Sequence, residues 1–241
     1  MMRQKTANQI LQKTIQDYDT IAEKFSNTRA FSWRDFEVLK RYLPIKGRIL
    51  DAGCGNGRAY KFFFDSEIPD SSQTYNLQLT TYDYVGLDAS KELIKIARKN
   101  YPQGKFILGD LLKIPFGNNE FSTIWCIATL HHFPTKTLQE NVLRELLRVT
   151  EPGGKLILTV WNLWQKKYLF KVIESYLKFS PHHCTIPFDN KIKRYVYAFT
   201  LSELRRCAKK AGWRNIQTLK LKQGEETGVF SAFNFCLIAE K

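Results

Sequence analysis

Apolar residues along this chain come in two spacings, and the spacings alternate. Short, nearly continuous apolar runs stand at 47–53 (GRILDAG), 84–90 (YVGLDAS), 105–110 (KFILGD), 121–130 (FSTIWCIATL) and 155–161 (KLILTVW). Runs of that length, apolar at successive positions, predict strands covered on both faces. Between them the spacing is helical. Phe36, Leu39 and Leu43 share one face of 33–43, and Ser90 is placed to cap a helix over 91–100. Leu138, Val142, Leu146 and Val149 recur at intervals of four, four and three, and EPGG at 151–154 predicts a turn into the fifth strand. Strand and helix in alternation predict a doubly wound α/β fold around a parallel sheet, whose strands form a ligand crevice at their carboxyl ends.

Beyond residue 161 the pattern changes. A helical stretch at 164–179 precedes the polar segment SPHHCTIPFDNKIKRY, read as a loop. Thr200 and Glu203 form a capping box for a helix that Gly212 stops. WRNIQTLKL and VFSAFNFCLIAE, joined by the charged KQGEETG, predict an antiparallel pair at the sheet edge. The polar stretch 65–83 reads as a surface insertion. We therefore expect one domain: an N-terminal helical lid (1–44), a core (45–161), and a substrate-side insert with a C-terminal hairpin (162–241).

Composition narrows the class. With 241 residues, 44% of them hydrophobic and 14% aromatic, the chain supports one sizeable core. No window has the roughly 18 uncharged apolar residues that a membrane-spanning helix needs. The polar N-terminus has no signal-peptide stretch, so cytoplasmic residence is expected. Five scattered cysteines, Cys54, Cys126, Cys184, Cys207 and Cys236, form no CxxC pair and predict reduced thiols, with neither a disulfide framework nor a metal cluster. The formal net charge of +14 favours a polyanionic partner such as nucleic acid.

The densest chemistry lies in LDAGCGNG, residues 50–57. Glycines at a strand-to-helix turn permit backbone angles closed to other residues and let a ligand lie against the main chain. The spacing here is GxGxG, at Gly53, Gly55 and Gly57, with Asp51 two residues ahead. A carboxylate at that place repels a pyrophosphate and suits an ammonium or sulfonium group. Asp88 ends the second strand, where a carboxylate can hold a ribose hydroxyl pair. Asp110 ends the third, where it can accept from an adenine amine with Leu111 against the ring. Three acids around an apolar crevice fit an adenosine with a cationic amino-acid tail.

LDAGCGNG, GLDAS, GDLLKIPF and LRVTEPGGKLILTVW resemble the class I methyltransferases that use S-adenosyl-L-methionine. The resemblance covers about residues 45–161. It implies a Rossmann-like, seven-stranded sheet with an antiparallel last strand. It also implies that Asp51, Gly53, Cys54, Gly55, Asn56 and Gly57 line the methionine side, that Asp88 and Ala89 meet the ribose, and that Asp110, Leu111 and Ile127 meet the adenine side.

The flanking segments DYDTIAEKFSNTRAFSWRDF, CIATLHHF, VWNLWQ and KRYVYAF are similar to wobble-uridine tRNA methyltransferases of the Trm9 and ALKBH8 type. Those enzymes methyl-esterify 5-carboxymethyluridine in the anticodon. The resemblance implies tRNA as a partner and, for relatives in eukaryotes, a small activating subunit. RYVYAF and the closing FNFCLIAEK depart from the usual family pattern. A carboxylate acceptor is already ionised at neutral pH, so the protein needs a cation to bind it more than a base to activate it. Arg29 and Arg194 are candidates for that cation. Asp19 and the pair His131 and His132 are candidates for other acceptor-side roles, with His131 favoured. Tyr18 and Trp33 read as lid packing, and Lys193 as a phosphate contact. Two other readings remain open at this level. One is a methyltransferase acting on a small quinone, lipid precursor or acid; the other is a cofactor-binding, RNA-associated protein without turnover.

Overall fold

The computed structural model describes residues 2–29, 33–64, 82–178, 180–189 and 192–241. Most of the 65–83 insertion therefore lies outside the described residues, and only Tyr82 and Asp83 of it are seen, at the start of a strand.

A helix α1 (Gln4–Asn27) and a short α2 (Asp35–Lys40) lead into the alternation. The order is then β1 (Gly47–Ala52), α3 (Arg58–Phe64), β2 (Tyr82–Asp88), α4 (Lys91–Asn100), β3 (Lys105–Leu108) and β4 (Phe121–Ile127). A single 3-10 turn (Leu130–His132), α5 (Lys136–Val149) and β5 (Thr150–Trp161) follow. The five apolar runs are thus five parallel strands, in the order β3-β2-β1-β4-β5. EPGG is not a free turn. It lies within β5, whose register against β4 shifts between Phe121 and Thr123.

Side chains leave β1 and β4 alternately to two apolar layers. Leu50, Ala52, Ile124 and Cys126 pack with α5 and with α7 (Leu201–Ala211). Ile49 and Trp125 pack on the other face with Phe36, Phe62 and Phe63. Burial on both faces is why these strands read as unbroken apolar runs.

The C-terminal third differs from its reading in two places. SPHHCTIPFDNKIKRY holds an antiparallel ribbon, β6 (His183–Pro187) with β7 (Lys193–Tyr197), beside α6 (Leu169–Leu177). Its apolar cluster, Cys184, Ile186, Val196 and Ala198, is small and interrupted by polar residues in the sequence. The expected edge pair exists, as β8 (Arg214–Lys222) and β10 (Asn234–Glu240), but β10 is not at the edge. It lies between β5 and β8, antiparallel to both. A two-residue β9 (Glu225–Glu226) extends the sheet beyond β8 to eight strands, against the seven expected. The capping box of α7 is formed as predicted: Thr200 accepts from the Glu203 backbone, Glu203 from that of Thr200, and Gly212 takes a left-handed φ of 107°.

Candidate active site

The carboxyl ends of β1, β2, β3 and β4 open into a cavity of about 860 Å³. That is the size range of small-molecule and cofactor sites. Its floor comes from the strand-to-helix turns and its roof from α1, which contributes Leu11, Ile15, Tyr18 and Phe25.

The three loop glycines all take positive φ: 88° at Gly53, 56° at Gly55 and 79° at Gly57. Their surroundings differ. A Cβ on Gly53 would sit 2.2 Å from the Thr129 hydroxyl, whereas one on Gly55 would meet only the Phe25 ring at 3.8 Å. The loop thus approaches Thr129 on one side and opens to the cavity on the other. Gly57 does not line the cavity; a side chain there would press on Phe106 and Tyr101. Two side chains fix the loop in place. Asp88 accepts from the Gly55 and Ser90 backbone N–H groups, at 2.8 Å each. Asn56 donates to Ser26 of α1.

Asp51, Asp88 and Asp110 line the same cavity, with Cys54, Ala89, Leu111 and Ile127 between them. Burial raises the Asp51 carboxyl to about 7, although Tyr84 donates to it at 2.5 Å. Burial also raises Asp88, opposed by its backbone hydrogen bonds. Asp110 accepts from Leu112 N–H and keeps its second oxygen free of any hydrogen bond among the described residues.

The sequence reading missed Arg58. Its guanidinium lies over the Trp33 and Phe36 rings, lines the cavity and acts electrostatically on Asp51. An acid and a guanidinium side by side match the ammonium and carboxylate of an amino acid. With an apolar wall beyond them and two further acids at the strand ends, the residues present fit S-adenosylmethionine. A basic residue after GxGxG is the signal that could have found Arg58; the basic composition of the whole chain hid it.

On the acceptor side the structure separates the candidates. Arg29 lines the cavity, its guanidinium 3.9 Å above the Phe25 ring. Burial, then Arg194 and Arg58, lower its pKa to about 10. Arg194 stands one layer behind the wall, 4.6 Å over Trp161 and 5.0 Å over Phe188. It is 5% exposed, and its Nε and Nη1 have no hydrogen-bond partner. Asp19 does not line the cavity. It accepts from the Ser90 hydroxyl at 2.6 Å and the Glu92 N–H at 3.1 Å, which fastens α1 to the N-terminus of α4. Its geometry is that of a clasp between helices.

The histidine pair divides, and the member that lines the cavity is not the one the sequence favours. His131 is fully buried and outside the cavity, stacked on Trp161, and its Nδ1 accepts from Trp161 N–H. Burial holds it well below the usual imidazole range. His132 lines the cavity and bonds Tyr18. Successive residues of a 3-10 turn point about 120° apart, so two adjacent histidines cannot share one face, and the doublet alone does not say which turns inward. Lys193 is exposed at the start of β7, and Trp33 lines the cavity beside Arg58.

A mostly parallel sheet with β10 antiparallel to both its neighbours, and a glycine loop and acids at its strand ends, has the Rossmann-like fold of the S-adenosylmethionine-dependent methyltransferases. Comparison with known proteins agrees. Residues 50–158 match the family model described as a methyltransferase domain. Across 149 residues the chain is 32% identical to a tRNA (carboxymethyluridine(34)-5-O)-methyltransferase of Arabidopsis thaliana, covering 62% of this chain and 32% of the relative. A protein of the same name from Schizosaccharomyces pombe is 32% identical over 151 residues, 63% of this chain and 58% of its own. The chain thus matches less than two thirds of the length of these curated relatives. Among solved structures, a Haloferax volcanii methyltransferase in complex with the Trm112 methyltransferase activator superposes with a TM-score of 0.66. That match is 15% identical and covers 92% of this chain and 96% of the other. Among the described residues, no helix is long and apolar enough to cross a membrane.

Proposed function

We propose that this protein methyl-esterifies the carboxylate of 5-carboxymethyluridine at the wobble position of tRNA. The observation that carries the reading is the acceptor-side wall. Arg29 lines it beside Tyr18, Arg194 stands behind it, and neither has a salt bridge to a described carboxylate. A half-buried guanidinium bonded only to the Thr28 hydroxyl, with a second one buried behind it, costs free energy unless an anion completes the site. A carboxylate does so with forked hydrogen bonds. Relatives carrying the matching activity in their names support the uridine, and the net charge of +14 supports a nucleic-acid substrate.

S-adenosylmethionine supplies an electrophilic methyl group on a sulfonium. The rest is positioning by this chain. Asp51 and Arg58 take the ammonium and carboxylate of the amino-acid end, and Asp88 and Asp110 accept from hydroxyl and amine donors further along. Phe25, Tyr18 and Trp33 exclude water. Arg29 directs the acceptor carboxylate and neutralises it enough to tolerate burial, leaving an oxygen free to attack. No base is needed, since the acceptor carries no proton at neutral pH. The buried histidines are consistent with this: burial lowers the pKa of both, and His132 stands at about 4.

A small activating subunit is part of the proposal, because a structural relative was solved with the Trm112 activator. The test is transfer of labelled methyl from S-adenosylmethionine into tRNA bearing 5-carboxymethyluridine, with nucleoside analysis, with and without a Trm112-type protein. Ester formed at that nucleoside supports the reading. Label entering only small acids or quinones replaces it with the small-molecule reading, and cofactor binding without transfer in either mixture supports the non-catalytic one.

A further inference from the structure

Tyr18 reads in the sequence as packing, yet its hydroxyl stands at the centre of a polar chain that the proposed reaction leaves without a task. The chain starts at a main-chain carbonyl. His132 Nδ1 lies 2.9 Å from the Tyr195 carbonyl oxygen, which can only accept. The ring therefore carries its proton on Nδ1 and presents a lone pair at Nε2. Nε2 lies 3.0 Å from the Tyr18 hydroxyl, so Tyr18 is the donor in that bond. Burial and the nearby Arg194 keep His132 neutral, which preserves the lone pair at working pH.

With its single proton committed to His132, the Tyr18 oxygen can only accept from other groups. Two guanidiniums act on that oxygen electrostatically: Arg194 from behind the wall, and Arg29, which lines the cavity itself. Arg194 is held by its aromatic neighbours. Its Nε and Nη1 are without partners, and its remaining contacts are the faces of Trp161 and Phe188. Neighbouring charge does not disturb the arrangement. Arg29 and Arg194 both favour electron density on the tyrosine oxygen, Asp88 opposes it, and burial keeps the phenol protonated. His131 stays out of the chain, since its Nδ1 faces the Trp161 N–H. The edge of Phe25 then sets the ring of Tyr18 from the other side, 5.2 Å between centroids at 87°.

We propose that Tyr18 and His132 are acceptor-positioning residues: His132 fixes the Tyr18 hydroxyl as a hydrogen-bond acceptor on the cavity wall, and that acceptor orders the guanidinium of Arg29, which shares the Phe25 ring and lines the same cavity, toward the substrate carboxylate. The direction of every bond follows from the Tyr195 carbonyl, so the device has one polarity. It rests on the proposed carboxylate-methylating reaction for its purpose, and on the protein alone for its geometry.

Two measurements separate those dependencies. The first needs no methyl acceptor. Nitrogen-15 NMR of the histidine rings in the intact protein reads the tautomer of His132 between pH 6 and 8. A neutral ring protonated at Nδ1 is expected. A ring protonated at Nε2, or at both nitrogens, overturns the proposal whatever the substrate is. The second is steady-state methylation of tRNA carrying 5-carboxymethyluridine. Tyr18→Phe keeps the ring and removes the acceptor; kcat/KM for tRNA should fall about tenfold to a hundredfold, the range of one hydrogen bond to a charged group. The dissociation constant for S-adenosylmethionine should move less than about threefold, so that the loss falls on the tRNA side. The histidine variants then test polarity. His132→Gln places an acceptor oxygen near the former Nε2 and should retain most activity. His132→Asn keeps only the donor toward Tyr195 and should lose as much as Tyr18→Phe, with no further loss when the two are combined. Equal loss in His132→Gln and His132→Asn, or full turnover in Tyr18→Phe, overturns the proposal. If the tautomer is as expected but the unmodified protein, with its activator, esterifies no uridine, then the substrate reading fails and the hydrogen-bond chain stands.

Discussion

Replacing Asp51 by asparagine should stabilise the cofactor-free protein at alkaline pH while crippling cofactor binding. Asp51 is 2% exposed, and burial raises its carboxyl from an ordinary 3.8 to about 7. Between those values the folded state binds a proton that the unfolded state does not. Stability must therefore fall as pH rises from about 4 to about 7, and level off above. At 1.36 kcal/mol per tenfold, an interval of about three pH units corresponds to ~4 kcal/mol lost by pH 8. Asparagine carries no charge to desolvate, and its carbonyl can still accept from Tyr84. Its own buried amide consumes part of the gain, which leaves roughly 1–3 kcal/mol. For a chain of this size that is a rise of about 2–10 °C in Tm. The assay is differential scanning calorimetry of both proteins, without cofactor, at pH 5 and pH 8. The gain should appear at pH 8 and nearly vanish at pH 5, where the native carboxyl is already protonated. Titration calorimetry of the same variant should show S-adenosylmethionine binding weakened at least about tenfold at pH 8, for want of a charge opposite the ammonium. A Tm gain of the same size at both pH values would refute the reasoning, as would no gain at pH 8.

Three further outcomes follow from the geometry. Tyr84→Phe removes the hydrogen bond that holds down the Asp51 pKa, so cofactor affinity should begin to fall at a higher pH than in the unmodified protein, measurable by calorimetry from pH 6 to 9. Gly55→Ala should cost about 1–2 kcal/mol for its left-handed backbone alone, whereas Gly53→Ala adds a clash with Thr129 and should lower Tm far more; a reversed order in thermal melts would contradict the structure. Asp35 is fully buried and accepts from Gly224 N–H and Asn234 Nδ2, so Asp35→Ala should cost about 2–4 kcal/mol by leaving both donors unpaired, read from urea denaturation.

What the sequence revealed is what local pattern encodes. The five parallel strands showed as apolar runs because Leu50 and Ile49 are buried on opposite faces. The capping box at Thr200 and Glu203 was legible because its partners are three residues apart. The acids at 51, 88 and 110 could be placed because a doubly wound sheet brings strand ends together whatever separates them in the chain. Hidden were the features that depend on distant pairing. The clasp that Asp19 makes did not show, because Ser90, the group it holds, is 71 residues away. His131 and His132 differ only in which way a short turn directs them, and the Tyr195 carbonyl that settles the role of His132 is 63 residues on. The β6–β7 ribbon passed for a loop because each strand is only five residues long and β6 alternates exposed Thr185 and Pro187 with buried Cys184 and Ile186.

The placement of β10 between β5 and β8 has a consequence for synthesis. When residue 222 has been made, β8 is present but has no long neighbour to join, and β5 carries an open edge of apolar residues from Leu156 to Val160. Neither is satisfied until residues 234–240 arrive, at translation rates of about 5–20 residues per second. A nascent chain stalled in that interval would hold two unpaired strand edges facing each other across a gap one strand wide. Such edges recruit any extended peptide, including the same strand of another molecule. The final step of sheet assembly is an insertion, and swapping of β10 between copies is the misassembly this order of synthesis makes most accessible.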